Sequence, residues 1–599
     1  MQSHRRKPVR QPLQVVALGA AVLAATSVAG SAAAAAHPGT ADSGSSSAVI
    51  VVAAPGHEAV LEARAVGLGL KVGRHLGIIH GFAASGSAAA LARLKALPDV
   101  VSVSPDASMK PLSVVPSLGY DPADVGSSSS FTQLVGAQAA WAAGYTGAGV
   151  DVAVIDTGVS PVPTLSGTNK VITGPDLSFD SVGATTTGLD AFGHGTFMAS
   201  LIAGRDATAT SSATGCTTCL NAGGYSDTAK FVGVAPDARI INVKVGAADG
   251  ATDVSQVIAA IDWVTQHAHD PGINIKVLNL SFGTNSTQAY TVDPLAQAAE
   301  QVWKHGIVVV AAAGNDGIAV TNLANPAYDP YLLAVGGLDT MGTLATGDDV
   351  VASFANHGTA ARPVDVVAPA VHILGARVQG SFIDTLATNT GQVGTQFQRG
   401  SGTSEAAAEV SGVAALIAQK YPTATPDTIK ALIKANAAWY GKPTPSTLTR
   451  GSGLVNAGKA LSAVLSVSVQ TAAASTGTGT LDAARGGVYV NDNGVNLTGQ
   501  FDIFGQPFTS AGMAAAQASA TSWNAGIWNG SRWTGDTWTG SRWTASSWTG
   551  NDWAGSRWTG SRWTTMAWDG SRWTGSGWSG SRWTGSAWTG SRWSGSGWS

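Results

Sequence analysis

Ile240-Ile241-Asn242-Val243-Lys244-Val245 is a short, mostly apolar run, and the pattern that follows it decides the fold. Asp253 to His267 places Val254, Val257, Ile258, Ile261 and Val264 at helical spacing. Lys276-Val277-Leu278-Asn279-Leu280-Ser281 is a second strand-like run, Asp293 to His305 a second helix, and Ile307 to Ala313 a third strand. Near-unbroken apolar strands are what a parallel sheet covered on both faces requires, and alternation with amphipathic helices supplies the cover. The pattern predicts an α/β domain with a doubly wound, mostly parallel sheet, whose ligands bind beyond the C-terminal ends of the strands. Working outward, Val152-Ala153-Val154-Ile155-Asp156-Thr157-Gly158 is a further buried strand that ends in a carboxylate and a glycine turn. Asp156, Ser281 and Asn315 all fall at such strand ends.

Two loops add chemistry to that rim. Asp190-Ala191-Phe192-Gly193-His194-Gly195-Thr196 sets a histidine between glycines just before an apolar run. Arg399-Gly400-Ser401-Gly402-Thr403-Ser404 is a glycine-rich turn leading into helix-favouring residues, which places Ser404 at a helix N-terminus. There the free N–H groups and the dipole favour a developing oxyanion, although a serine in this place is also an ordinary helix cap. A serine hydroxyl is a poor nucleophile at neutral pH. It needs a histidine base, and the histidine needs a buried carboxylate to fix its tautomer and stabilise the imidazolium. The chain offers all three in the order Asp156, His194, Ser404, and Val308 to Asn315 delivers an amide suited to donate to an oxyanion. An α/β-hydrolase order of serine, acid, histidine is excluded for Ser404, because no histidine follows His372.

From Leu134 to Leu465 the chain resembles the subtilisin-like serine peptidases, at Val154-Ile155-Asp156-Thr157-Gly158, Gly193-His194-Gly195-Thr196, Ala313-Gly314-Asn315 and Gly402-Thr403-Ser404. The resemblance implies a peptide-bond hydrolase with Asp156, His194 and Ser404 as triad and Asn315 as oxyanion donor. It also implies a substrate cleft lined by Ser281-Phe282-Gly283 and Ala312-Ala313-Gly314, whose backbones pair with an extended peptide as an added strand. Departures from the family pattern are Glu405, Ala408 and Glu409, where an apolar residue, a proline and a histidine are usual, and Phe197 in place of a second histidine. Glu405 is expected to point to solvent. The alternative is a place beside the nucleophile, from which it raises the pKa of His194.

The flanking sequence describes an exported protein. Lys and Arg number 34 against 37 acids, and the formal charge of −3 indicates no nucleic-acid partner. Residues 1–36 carry a basic start, an apolar core and Ala34-Ala35-Ala36, the pattern of a signal peptide, so a secreted location is expected. Residues 37–130 hold a small α/β unit, Ala48 to Asp106, which resembles the inhibitory pro-domain of subtilisin-like peptidases, then an exposed linker, Met109 to Phe131, that is cut. The chain's own pro-domain and protein or peptide substrates are thus the expected partners. The peptidase domain is placed at 131–465, followed by a linker with a small β patch at 466–522.

Cys216 and Cys219 suggest a local disulfide, since a zinc site lacks further ligands in that loop. Asp348 and Asp349 match no recognisable calcium loop, so no metal and no cofactor is assigned, and a monomer is expected. His267, His269, His305, His357 and His372 sit in no motif. From Trp523 to Trp598 a tryptophan recurs every five residues, mostly as Trp-Thr-Gly-Ser-Arg-Trp. This tail, 523–599, reads as a helix-free ribbon or irregular β-arrangement, with same-face tryptophans ten residues apart. It is either a spacer or a surface that stacks on cell-wall carbohydrate. An alternative function is therefore an inactive surface adhesin that binds glycan through the tail.

Overall fold

The computed structural model describes residues 47–54, 56–76, 81–105, 128–178, 188–209, 224–225, 230–386, 391–442, 444–487, 489–492, 495–524 and 526–532, then short strands up to residue 593. The expected signal peptide, the cut linker before residue 128 and both cysteines lie outside them. No helix among the described residues is long and apolar enough to cross a membrane.

The chain forms two compact units, residues 1–106 and 107–599. In the first, β1 (Ser47–Ala53), β2 (Lys71–Leu76), β3 (Gly81–Gly86) and β4 (Val100–Pro105) make an antiparallel sheet in the order β2-β3-β1-β4. Helices α1 (Glu58–Gly67) and α2 (Ala88–Lys95) supply Leu61, Ala65 and Leu94 to a core with Val51 and Phe82. β2 ends at Leu76 and β3 begins at Gly81. β2 is polar because it is an edge strand, and edges tolerate Lys and Arg that a period-two pattern would reject.

The second unit is built on the expected mostly parallel α/β sheet. Its strands are β5 (Asp151–Asp156), β6 (Val171–Asp176), β7 (Arg239–Lys244), β8 (Ile275–Leu280), β9 (Val308–Ala312), β10 (Leu333–Asp339), β11 (Val350–Val351) and β12 (Val366–Pro369). They run in the order β11-β10-β9-β8-β5-β7-β6 with β12 beside β10. β11 pairs antiparallel with β10, and the other pairings are parallel. Every residue of β5 is buried, which requires cover on both faces. The unit opens with α3 (Ser128–Leu134) and α4 (Ala137–Ala142). Later, α5 (His194–Ala203) packs with α9 (Thr403–Lys420), α6 (Val254–His267) packs with α7 (Pro294–Lys304), and α8 (Phe382–Leu386) is short. Strand order turns at β5: β6 and β7 lie to one side of it, β8 to β10 to the other. Ligand crevices form at such a turn.

Residues 466–522, expected as a linker, and the first residues of the repeat up to 531 lie against α6 and α7. Leu481, Ala484, Phe504, Phe508, Trp523 and Trp528 join the main hydrophobic core. Ser475 N–H donates to Glu300 at 2.6 Å, and the fully buried Arg485 ion-pairs with Asp253 at 2.7 Å. The β patch expected around 487–504 is a two-residue hairpin, Asn491–Asp492 with Val495–Asn496. Trp523 Nε1 donates to the Ala259 carbonyl and Trp528 Nε1 to Asp262, both at 2.7 Å and both buried. The first two tryptophans of the repeat are therefore core residues of this unit. Trp528→Ala is expected to destabilise the unit by ~3–5 kcal/mol, read from the midpoint of urea unfolding, since it opens a cavity and strands a buried carboxyl.

Beyond residue 532 only short strands are described, up to residue 593. Two-residue strands pair in parallel so that Trp538 faces Trp553 and Trp553 faces Trp568, while Trp543 faces Trp558 and Trp558 faces Trp573. In these pairs the partner lies three pentads on, and for Trp573 with Trp593 it lies four on.

Candidate active site

Asp156 is the last residue of β5, where the ladder with β7 runs out and the side chain meets the rim. Its Oδ1 accepts from Thr157 N–H at 2.8 Å and lies 2.7 Å from His194 Nδ1. Both side chains are buried, at 3% and 8% exposure, so little water competes for that bond. His194 is the first residue of α5, and the loop before it is tied by Asp190. The Asp190 carboxylate accepts from Gly193 N–H at 2.6 Å, Thr196 N–H at 2.8 Å and Thr157 Oγ1 at 2.8 Å. These bonds satisfy N–H groups that the start of a helix leaves open. Gly195 permits the close approach of α5 to β5, because a Cβ there would sit 2.2 Å from the Gly158 carbonyl oxygen.

Ser404 lies in the first turn of α9, behind the cap residue Gly402. Its Oγ donates to the Ser281 carbonyl at 2.8 Å, while Ser281 Oγ donates to the Ser404 carbonyl at 3.1 Å. Asn279 Nδ2 donates to Ser281 Oγ, and Ser411 Oγ to Asn279 Oδ1, which pins this end of α9 to the end of β8. Among the described contacts, Ser404 Oγ is not bonded to His194. The helices that carry the two residues, α5 and α9, pack together, and the hydroxyl rests on Ser281.

Asn315 follows β9, with its Oδ1 accepting from Thr403 N–H at 2.9 Å and from Thr403 Oγ1 at 2.8 Å. A backbone N–H can only donate, so the amide oxygen must face Thr403 and the amide Nδ2 must face away from it.

Electrostatics bind the site together. Burial pulls the His194 pKa down, but the charge of Asp156 and its hydrogen bond, with Glu405 and Asp190, outweigh it and lift the imidazole to about 8. Glu405 corrects the expectation of a solvent-facing side chain: it is fully buried, as is Glu409 one turn on. Burial raises the Glu405 carboxyl to about 8 against the pull of His194. Burial and the neighbouring Glu405 hold Glu409 well above the usual carboxylate range.

The expected cleft residues divide. Ser281 is buried, and Phe282 and Gly283 are half-exposed at the rim. Ala312 lies within the β9–β10 ladder. Ala313 N–H donates to Val335 and its carbonyl accepts from Ala324, while Gly314 N–H donates to Thr403 Oγ1 and its carbonyl accepts from Asn356. These two backbones already have internal partners. Sequence reading gave no role to Asp190, Thr403 or Asn279. The signals were legible: an acid four residues before a helix start, and hydroxyl and amide side chains near strand and helix ends.

Comparison with known proteins gives the family. The profile of the Subtilase family matches residues 147–478, more than half of the chain. "Serine protease AprX" of Bacillus subtilis is 35% identical over 52% of this chain and 66% of its own length. Subtilisin BL of Lederbergia lenta is 32% identical over 54% of this chain and 94% of its own length. The solved structure of fervidolysin from Fervidobacterium pennivorans aligns with a TM-score of 0.44 at 24% identity, over 72% of this chain and 63% of that one. The chain belongs to the subtilase family and is a subtilisin-like serine endopeptidase.

Proposed function

We propose that Asp156, His194 and Ser404 are the catalytic triad of this peptidase and Asn315 its oxyanion donor. The observation that carries the reading is the buried 2.7 Å contact between Asp156 Oδ1 and His194 Nδ1 beside the helix start that bears Ser404. With Nδ1–H committed to Asp156, the lone pair of Nε2 is the one left to act as base. Ser404 Oγ leaves the Ser281 carbonyl, turns about its Cα–Cβ bond and gives its proton to Nε2 while bonding to the peptide carbonyl carbon. Such hydrogen bonds commonly tighten only once substrate is bound. The tetrahedral oxyanion accepts from Asn315 Nδ2 and Ser404 N–H. The C–N bond then breaks, and His194 returns the proton to the leaving amine. Water attacks the acyl ester by the same route in reverse, releasing the carboxylic acid and Ser404.

Residues 1–36 direct export, and the first compact unit, 47–105, acts as an inhibitory pro-domain removed by cleavage in the following linker. Protein substrates fit the family, and a protease made for export needs its cleft covered until it leaves the cell. Asn315→Ala tests the oxyanion assignment: kcat is expected to fall by roughly 10²–10³-fold with little change in KM, in a steady-state peptide assay. An unchanged kcat removes Asn315 from the mechanism.

A further inference from the structure

Three carboxyl groups crowd the back of the site, and five of their oxygens find no hydrogen-bond partner: Asp156 Oδ2 and both oxygens of Glu405 and of Glu409. Each residue is at most 3% exposed. Ionised carboxylates only accept, and three such charges cannot persist together without water or a cation. At least one proton must therefore be shared within the group. Glu405 follows the nucleophile directly, and Glu409 stands one helical turn behind it on α9. The charged groups that face Glu405 are His194 from α5, Asp156 from β5 and Glu409 from its own helix. β8 meets this end of α9 with Ser281 and Asn279, which are neutral and are bonded to Ser404 and Ser411.

We propose that Glu405 is a positioning residue for the triad: once ionised, its buried carboxylate holds the imidazolium of His194 and thereby sets the pH at which the imidazole is free to take the serine proton. This rests on the triad reading above. With no other cation described beside it, an ionised Glu405 is stabilised by the imidazolium, so its charge keeps His194 protonated. Loss of the second proton from the pair then frees Nε2. Glu409 stays neutral and adds to the low-dielectric wall that keeps the coupling strong. The outcome is an enzyme whose activity rises at higher pH than the Asp156–His194 pair alone would give.

The test is the pH profile of kcat/KM for the full chain and for Glu405→Gln and Glu405→Asp. Glu405→Gln keeps the shape and removes the charge, and its acid limb is expected about one pH unit below that of the wild type. Glu405→Asp restores the charge and is expected to return the limb toward the wild-type position. A side chain that only fills space would leave the limb in place in both. An acid limb for Glu405→Gln that coincides with the wild type overturns the proposal. Where Glu405→Gln fails to fold, the titration of the His194 imidazole in wild-type protein by NMR decides. Two coupled steps support the proposal, and a single step in the ordinary histidine range overturns it. Ser404→Ala separates the two readings. If it stays active, the triad assignment fails, whereas an inactive Ser404→Ala with an unmoved Glu405→Gln limb defeats this inference alone.

Discussion

Ser404→Ala is expected to lower kcat/KM for a peptide substrate by roughly 10⁴–10⁶-fold while leaving the fold intact. The loss is large because nucleophile, base and orienting carboxylate act as one unit, so removing any one idles the others. For the same reason His194→Ala should cost a similar factor, and the double variant should be hardly worse than either single one. Stability should change little. The hydroxyl lost makes one neutral hydrogen bond, to the Ser281 carbonyl, worth about 1 kcal/mol, and alanine favours the helix that begins here. Processing offers an independent reading of the same variant. If removal of the first unit is autocatalytic, Ser404→Ala should accumulate with residues 47–105 still attached, visible as a larger band on a gel. A fully mature Ser404→Ala would assign that cut to another protease.

Arg485→Met is expected to destabilise the second unit by ~3–5 kcal/mol, measured from the midpoint and slope of urea unfolding. Arg485 and Asp253 are both fully buried and ion-paired. The guanidinium also donates to the carbonyls of Gly499 and Phe501, each at 2.7 Å. Asp253 in turn caps α6, accepting from Ser255 N–H at 2.9 Å, while its own N–H donates to Gln256. Removing the arginine leaves a buried charge and two orphan carbonyls, whereas methionine replaces only the apolar volume. Removing both charges, in Arg485→Met with Asp253→Asn, should recover part of the loss. Turnover of the folded single variant should stay near that of the wild type, because none of these groups reaches the triad. A loss under about 1 kcal/mol would mean that residues 466–531 are not bound to the sheet as described.

The centre of the fold was legible because its strands are buried on both faces and so announce themselves as apolar runs. Ile240 to Val245 is expected as a strand and β7 is Arg239–Lys244; the helix expected from Asp253 to His267 has Asp253 as its cap. The candidate site was legible because glycines flank its polar residues wherever helix and strand approach closely, as at Gly195. The periphery was not. Residues 466–522 are rich in Ala, Ser, Thr and Gly and carry no period of 2 or 3.6, so nothing along the chain marks them as packed. Their docking depends on Arg485, a residue type that ordinarily lies at a surface, and on the first tryptophans of the repeat. Glu405 misled for a related reason: an acid in a first helical turn is normally solvated and stabilised by the dipole, whereas here it is fully buried. In the tail, the spacing of five was plain. The pairing of Trp538 with Trp553 is a choice of register among similar pentads, which local composition does not encode.

Labelling of the intact protein with a fluorophosphonate, followed by mass mapping of the modified peptide, tests the central assignment most directly. One label per chain on Ser404, absent from His194→Ala, is the expected result. A folded protein that takes no label, or takes it on another serine, would contradict the assignment of Ser404 as nucleophile.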